Sequence, residues 1–186
     1  MLKSHIARIV RLIRAKLGCC MILVVGCDHG IQYGEDPLCD TPAKTQQKAR
    51  FAGLVDGMIK DNEIEFVGEE WGLEERSAAH VIAESSSQVL WANINTSFAE
   101  LAEMRIPNDY ADGHYTAEQK AEWNRQREQV MIRKLLEHRG TANRMVVVCG
   151  FDHMEALAES LRRICKCAKA VDYRRRDWYD ENAFLH

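Results

Sequence analysis

The chain has 186 residues, 46% of them hydrophobic and 28% charged, which fits one globular domain with a full core and argues against a second independent domain. Its formal net charge of -3 argues against general nucleic-acid binding, because that function usually needs a surplus of Lys and Arg. The seven cysteines include no Cys-x-x-Cys pair, a pattern typical of reduced thiols in a cytoplasmic protein.

Residues 1–20 predict a short basic amphipathic helix. Basic and apolar residues alternate there without any acidic residue, and the basic positions include Arg8, Arg11, Arg14 and Lys16. Charge interrupts the apolar positions too often for a transmembrane helix or for the core of a secretory signal. Three interpretations remain open: a surface or packing helix, a contact with a membrane surface or a partner, and a non-native upstream start, since Met21 opens the first strand.

From residue 21 onward, the hydrophobic pattern alternates between strands and helices. Apolar runs rich in β-branched residues predict strands at 21–25, 64–67, 89–94 and 145–149, with a weaker one at 168–173. Helices are predicted at about 43–60, 74–85, 98–104, 116–139 and 154–165, the first with Thr41 as its N-cap. The alternation predicts a three-layer α/β/α domain over 21–173 with a mostly parallel sheet of about four to five strands, and a charged tail over 174–186.

The tetrapeptide Gly-x-Asp-His follows both the first and the fourth strand, at residues 26–29 and 150–153. The second strand ends in Glu69 and Glu70, and the third ends in amides. Because the carboxyl ends of parallel strands meet at one rim, we expect these side chains to converge. Two imidazoles and several carboxylates suit Zn, Mn, Co or Fe, and the candidate ligands are His29, His153, Glu69 and Asp152.

Each candidate has a structural alternative. Asp28 or Asp152 would also serve as a helix cap, and a single His after a strand is often only a hydrogen-bonded structural residue. Side-chain alternation predicts that only one of Glu69 and Glu70 faces the site, without deciding which. Cys27 and Cys149 are either nucleophiles or small core residues. His114 is a further candidate, from an irregular loop.

Four segments in order resemble the superfamily that joins TraB, Tiki, the ChaN haem-binding lipoproteins and the erythromycin esterases. They are the two strands that end in Gly-x-x-His, the strand that ends in acidic residues at 67–70, and the helix segment Gln-Arg-Glu-x-x-Met at 126–131. The resemblance spans about Met21 to Ile164. The chain differs in its short length, in Gln126 where the family has Glu, and in the Asp before each His.

The resemblance implies a site in which His and Glu act together. Tiki proteins resemble metal-dependent peptidases, erythromycin esterases open a lactone by general-base chemistry, and ChaN-like proteins bind haem or iron. The resemblance also adds Arg127, which would bind a carboxylate or phosphate of the substrate. The alternative for Arg127 is a surface residue in an ion pair.

We therefore expect a metal-dependent hydrolase acting on a small-molecule or peptide substrate, in which the ion activates a water. One of Glu69 and Glu70 would act as the base, Arg127 would position the substrate, and Asp28 would orient a His or complete the metal shell. The alternatives are a metal-independent, esterase-like hydrolase, a non-catalytic protein that binds haem, iron or another small ligand, and an interaction module in which the repeats only end strands. No oligomeric state follows from the sequence.

Overall fold

The structure is a computed structural model that describes residues 20–33, 40–72, 76–110, 113–177 and 179. The predicted basic helix therefore lies outside the described residues apart from Cys20, and so does most of the charged tail. Residues 34–39, which follow the first motif, and the predicted start of the helix at 74–85 also fall outside them.

Five strands form one parallel sheet, which confirms the predicted α/β class. They are β1 (Met21–Cys27), β2 (Phe66–Glu69), β3 (Leu90–Asn93), β4 (Arg144–Gly150) and β5 (Ala168–Asp172). Their order across the sheet is β3-β2-β4-β1-β5. The register pairs Cys27 with Gly150, so β1 and β4 end at the same level. This register brings the two Gly-x-Asp-His segments side by side.

Six helices connect or follow the strands within the described residues. They are α1 (His29–Gln32), α2 (Pro42–Asp61), α3 (Ala78–Ser85), α4 (Phe98–Glu103), α5 (Ala117–His138) and α6 (Phe151–Arg162), and one 3-10 turn (Tyr173–Arg175) follows β5. The predicted N-cap of α2 is confirmed, since the Thr41 side chain accepts a hydrogen bond from the Lys44 N–H with Pro42 at the first helical position. Among the described helices, none combines the length and apolar character needed to cross a membrane.

The core lies on both faces of the sheet. One cluster joins α5 and α6 to the sheet through residues such as Met131 and Leu157, and the other joins α1, α2 and α3 through residues such as Phe51 and Ala83. The central strand β4 is buried on both faces because strands flank it on either side and helices cover it above and below. This is the predicted three-layer arrangement.

Helix α6 begins earlier than the sequence predicts. Its first residue is Phe151, directly after β4, with Gly150 as the N-cap, whereas the pattern predicted a start at Met154. The second Asp-His pair therefore lies in the first helical turn and not in a loop. In the first motif the helix begins two positions later in the tetrapeptide: Asp28 is the N-cap of the single-turn helix α1, and His29 is its first residue.

Candidate functional site

A cavity of about 600 Å³ opens at the carboxyl rim, where β1 and β4 end. Charged and titratable side chains from both motifs, from α5 and from the 3-10 turn line it, and they include Asp28, His29, Arg127, Asp152, His153 and Arg174. Strand register and crossover helices thus bring together residues that are more than a hundred positions apart in the chain.

Glu70 lies behind this cavity in a nearly closed environment. Its carboxylate accepts hydrogen bonds from Arg127 Nη2 at 2.7 Å and from the Gly150 N–H at 2.9 Å, and its side chain is 1% exposed. Burial alone would raise the pKa of Glu70, but the positive charge of Arg127 and the hydrogen bond from the Gly150 N–H oppose burial, and this pKa is lowered. Glu70 is therefore a buried, ionised carboxylate.

Arg127 extends from α5 to the rim and binds several partners at once. Besides Glu70, its guanidinium donates to the Tyr110 hydroxyl and to Asn95 Oδ1, the latter at 3.3 Å. Its carbon centre lies 5.4 Å from the centre of the Tyr110 ring. These contacts hold the guanidinium in place and leave little of it exposed to a substrate.

His153 has both ring nitrogens engaged. Nδ1 lies 3.0 Å from Glu128 Oε1, and Nε2 lies 3.1 Å from Arg127 Nη1 and 3.7 Å from Glu70 Oε1. Because a guanidinium only donates and a carboxylate only accepts, an imidazole with its proton on Nδ1 satisfies both hydrogen bonds. The ring is also buried, at 3% exposure. His153 has no free nitrogen in this arrangement.

His29 is the exposed member of the motif pair. Its Nδ1 lies 2.8 Å from Gln32 Oε1. Its Nε2 lies above the backbone of Gly150, where an added methyl group would be 3.2 Å from Nε2 and 3.6 Å from Glu70 Oε2. The free edge of this imidazole therefore lies at Gly150, which lines the cavity together with His29.

Glu69 faces the opposite side of the sheet from Glu70, as alternation along a strand requires. Its carboxylate accepts hydrogen bonds from Gln32 Nε2 at 3.1 Å, from Trp91 Nε1 at 2.9 Å and from the Ser77 hydroxyl. Burial raises the pKa of Glu69, and these hydrogen bonds oppose the rise. Glu69 therefore reaches the cavity only through Gln32.

The two motif Asp residues differ from each other. Asp28 Oδ2 accepts hydrogen bonds from the hydroxyls of Tyr173 and Tyr179 at 2.9 and 3.0 Å. Burial, together with the nearby Asp28, raises the pKa of Tyr179 to about 12. Asp152 is exposed in the first turn of α6. Neither carboxylate caps a helix through a side-chain hydrogen bond.

The predicted metal ligands do not converge in the described part of the chain. No group of three or more His, Cys, Asp or Glu side chains there is placed to hold a metal ion. The guanidinium of Arg127 contacts both Glu70 and His153, and Glu69 lies on the other face of the sheet. These residues do not fit a metal centre as they stand, and a bound metal stays a prediction.

The other sequence candidates add no reactive group to the cavity, although Cys27 is one of its lining residues. Cys27 and Cys149 are buried, and burial raises the pKa of both thiols well above the ordinary value. His114 is exposed and does not line the cavity.

The sequence reasoning missed Gln32, Tyr110 and Glu128. Gln32 is three residues after His29, a spacing that places two side chains on one face of a helical turn. The sequence pattern predicts no helix at 29–32, so the sequence alone gave no reason to place His29 and Gln32 on one face. Glu128 follows Arg127 directly within the helix segment that resembles the superfamily motif.

Comparisons of the chain with known proteins do not identify a family for it. No family model, curated protein or solved structure matches the chain. The relation to the TraB, Tiki, ChaN and erythromycin esterase superfamily therefore stays a resemblance based on four short motifs.

Proposed function

We propose that this protein is a hydrolase in which His29 acts as the general base at the carboxyl rim of the sheet, without a metal ion. The observation that carries the proposal is the contrast between the two motif histidines. His153 is buried with both nitrogens bonded, whereas His29 is exposed and turns its Nε2 toward a cavity of about 600 Å³. A general base needs an accessible nitrogen.

The buried carboxylate beside His29 supports this role. His29 Nε2 and Glu70 Oε2 lie 3.2 and 3.6 Å from the point that a methyl group on Gly150 would occupy, so the two side chains are neighbours at Gly150. When the imidazole takes a proton it becomes positive, and a fixed carboxylate in a poorly solvated place stabilises that charge. Arg127 keeps Glu70 ionised and oriented. In this proposal Arg127 therefore acts on Glu70 and not directly on the substrate.

The reaction consumes one water. His29 Nε2 removes a proton from the water as its oxygen attacks the carbonyl or phosphorus atom of the substrate. The bond to the leaving group then breaks, and the leaving group receives the proton from the imidazolium, which restores the neutral ring. Lys120 and Arg174 also line the cavity together with Asp28 and Asp152, so the lining carries both signs of charge, and Arg174 already pairs with Asp172. Ester, amide and phosphoester substrates all fit this scheme.

A substrate panel tests the proposal. Purified full-length protein is assayed against small esters, amides, peptides and phosphoesters, before and after dialysis against a chelator. We expect hydrolysis of at least one class, unchanged by the chelator, and a loss of roughly 10²- to 10⁴-fold in rate for His29→Asn. His138→Asn is the matched control, because His138 is exposed in the last turn of α5, away from the cavity.

Other outcomes would favour the other predictions. Activity that depends on a stoichiometric first-row metal would contradict the metal-free scheme and favour the metal-dependent hydrolase. An intense Soret band without hydrolysis would indicate a haem-binding protein. Equal rates for His29→Asn and the wild type would exclude His29 as the base. A cytoplasmic location and the contact of residues 1–20 with a membrane stay predictions that need separate localisation measurements.

A further inference from the structure

The two Gly-x-Asp-His motifs place their histidines in different surroundings, and one difference is the residue three positions after each histidine. Gln32 follows His29 at that spacing, and the equivalent position after His153 is Ala156. Gln32 is fully buried, at 0% exposure, although it is polar. A buried amide needs hydrogen-bond partners for its oxygen and for its nitrogen, so its orientation shows which neighbours donate and which accept.

The neighbours of Gln32 leave a single orientation for its amide. One end of the amide lies 3.1 Å from Glu69 Oε1 and 3.2 Å from the backbone carbonyl oxygen of Glu70. A carboxylate and a carbonyl oxygen only accept hydrogen bonds, so this end has to be the NH₂ group. The other end, the amide oxygen, then faces His29 Nδ1 at 2.8 Å.

An amide oxygen accepts and never donates, so the hydrogen bond to His29 requires a proton on Nδ1. The neutral imidazole then has its lone pair on Nε2, the nitrogen that faces the cavity. We infer that Gln32 is a positioning residue that holds His29 in the tautomer with the proton on Nδ1, and that Glu69 anchors Gln32 for this purpose. The catalytic meaning of the inference rests on the proposed function, whereas the tautomer itself rests only on the hydrogen bonds.

Glu69 suits the role of anchor. Its carboxylate is 0% exposed, and Trp91 and Ser77 occupy the oxygen that Gln32 does not contact. No Lys or Arg side chain within the described residues pairs with it, so its negative charge is balanced mainly by hydrogen-bond dipoles. The Gln32 amide connects this charge to the His29 ring. A proton that arrives on Nε2 makes the ring positive, and the chain from Glu69 through Gln32 stabilises it.

Nitrogen NMR tests the tautomer directly. Full-length protein is labelled with ¹⁵N-histidine, and the His29 signals are identified by their loss in His29→Asn. Protonated and unprotonated ring nitrogens have well-separated ¹⁵N chemical shifts. For the neutral ring in the wild type we expect a protonated Nδ1 and an unprotonated Nε2. A ring with its proton on Nε2 would overturn the inference.

Two variants of Gln32 extend the test. Gln32→Met has a similar volume but no amide, so we expect a mixture of tautomers and a loss of about tenfold or more in kcat, with a smaller change in KM. Gln32→Glu places a second carboxyl group beside Glu69, so it fits only in its protonated form, in which the O–H donates to Glu69 and the other oxygen accepts from Nδ1. In that form we expect the wild-type tautomer. An unchanged tautomer in a folded Gln32→Met would overturn the inference. If Gln32→Met does not fold, the wild-type spectrum still decides the question, because the inference concerns the tautomer of the wild-type ring.

The activity of His29→Asn tests the role of His29, and the wild-type ¹⁵N spectrum tests the role of Gln32. If His29→Asn hydrolyses substrates as fast as the wild type, the proposed function is wrong even when the NMR shows the expected tautomer. If His29→Asn is inactive but the wild-type ring carries its proton on Nε2, His29 is needed and Gln32 is not its positioning residue.

Discussion

Arg127 on α5 donates a hydrogen bond of 2.7 Å to Glu70 at the end of β2, and the Glu70 side chain is 1% exposed. The two residues are 57 positions apart in the chain. The contact joins the layer of α5 and α6 to the sheet at the base of the cavity. It should therefore stabilise the fold and fix the position of the Glu70 carboxylate.

Removal of Arg127 should destabilise the fold strongly. In Arg127→Met, Glu70 keeps its burial but loses its charged partner, and the loss of one member of a buried ion pair costs about 3 to 5 kcal/mol. Urea unfolding at pH 7 measures the change. The double variant Arg127→Met with Glu70→Gln should lose less than the sum of the two single changes, because no unpaired charge remains.

Arg125→Met is the matched control for this prediction. Arg125 lies on the same helix and pairs with Glu122, but its side chain is 66% exposed. Surface ion pairs contribute little, so the control should lose much less stability than Arg127→Met. Equal losses of unfolding free energy for the two variants would show that the buried Arg127 and Glu70 pair stabilises the fold no more than a surface ion pair does.

The charge of Glu100 should stabilise the protein in a pH-dependent way. Although burial raises the pKa of Glu100, hydrogen bonds from Lys134 and Ser97 outweigh it and lower this pKa from 4.5 to about 2. Because the folded pKa lies below the unfolded one, the stabilisation is complete above pH 4.5 and is lost as the pH falls toward about 2. Glu100→Gln should therefore be less stable than the wild type at pH 7, and the gap should narrow below pH 4.5.

Unfolding curves at several pH values check this expectation. The change to Gln suits the position, since Gln can still accept a hydrogen bond from Ser97 at the third residue of α4. Glu103→Gln is the control, because Glu103 is exposed on the same helix and has no ion pair among the described residues. A gap for Glu100→Gln that does not vary with pH would contradict the prediction.

Gly150→Ala should reduce activity without a large loss of stability. The backbone of Gly150 has φ -58 and ψ 150, which alanine adopts readily, so the main effect is local crowding. The added methyl group would lie 3.2 Å from His29 Nε2, and the ring would have to move away from Glu70. We expect a fall in kcat of roughly tenfold or more from this displacement, measured on the substrate that the panel identifies.

Gly57→Ala provides the comparison for this variant. Gly57 lies inside α2, and a methyl group there would meet nothing within 4 Å. Alanine favours a helix interior over glycine by about 1 kcal/mol, so Gly57→Ala should raise the melting temperature and leave the activity unchanged. Unchanged activity in Gly150→Ala as well would argue against a role for His29 Nε2 at this position.

Cys27 should not act as a nucleophile, although it lines the cavity. Its side chain is 1% exposed, and burial raises its pKa well above the ordinary value, which keeps the thiol protonated and unreactive. Iodoacetamide should leave Cys27 unmodified in the folded protein, as mass spectrometry of tryptic peptides would show. Cys27→Ala should keep its activity, and a loss comparable to that of His29→Asn would reverse this assignment.

The sequence alone determined the parts of the fold that depend on local patterns. Apolar runs rich in β-branched residues identify β1 and β4, and the Thr41-Pro42 pair identifies the start of α2, because burial and capping depend on residues close together in the chain. The parallel arrangement then follows from the alternation of strands and helices, so the convergence of the two motifs at one rim was also predictable.

Only the tertiary structure decided which side chains meet at that rim. Alternation showed that Glu69 and Glu70 face opposite ways, but the sequence could not assign the faces, because the assignment depends on which helix packs against which side of β2. The hydrogen bonds of His153 and His29 likewise depend on distances across the sheet and on a single helical turn that local propensity does not reveal. Two tetrapeptides with the same Gly-x-Asp-His pattern therefore hold one buried, fully bonded histidine and one exposed histidine, since their partners come from different parts of the fold.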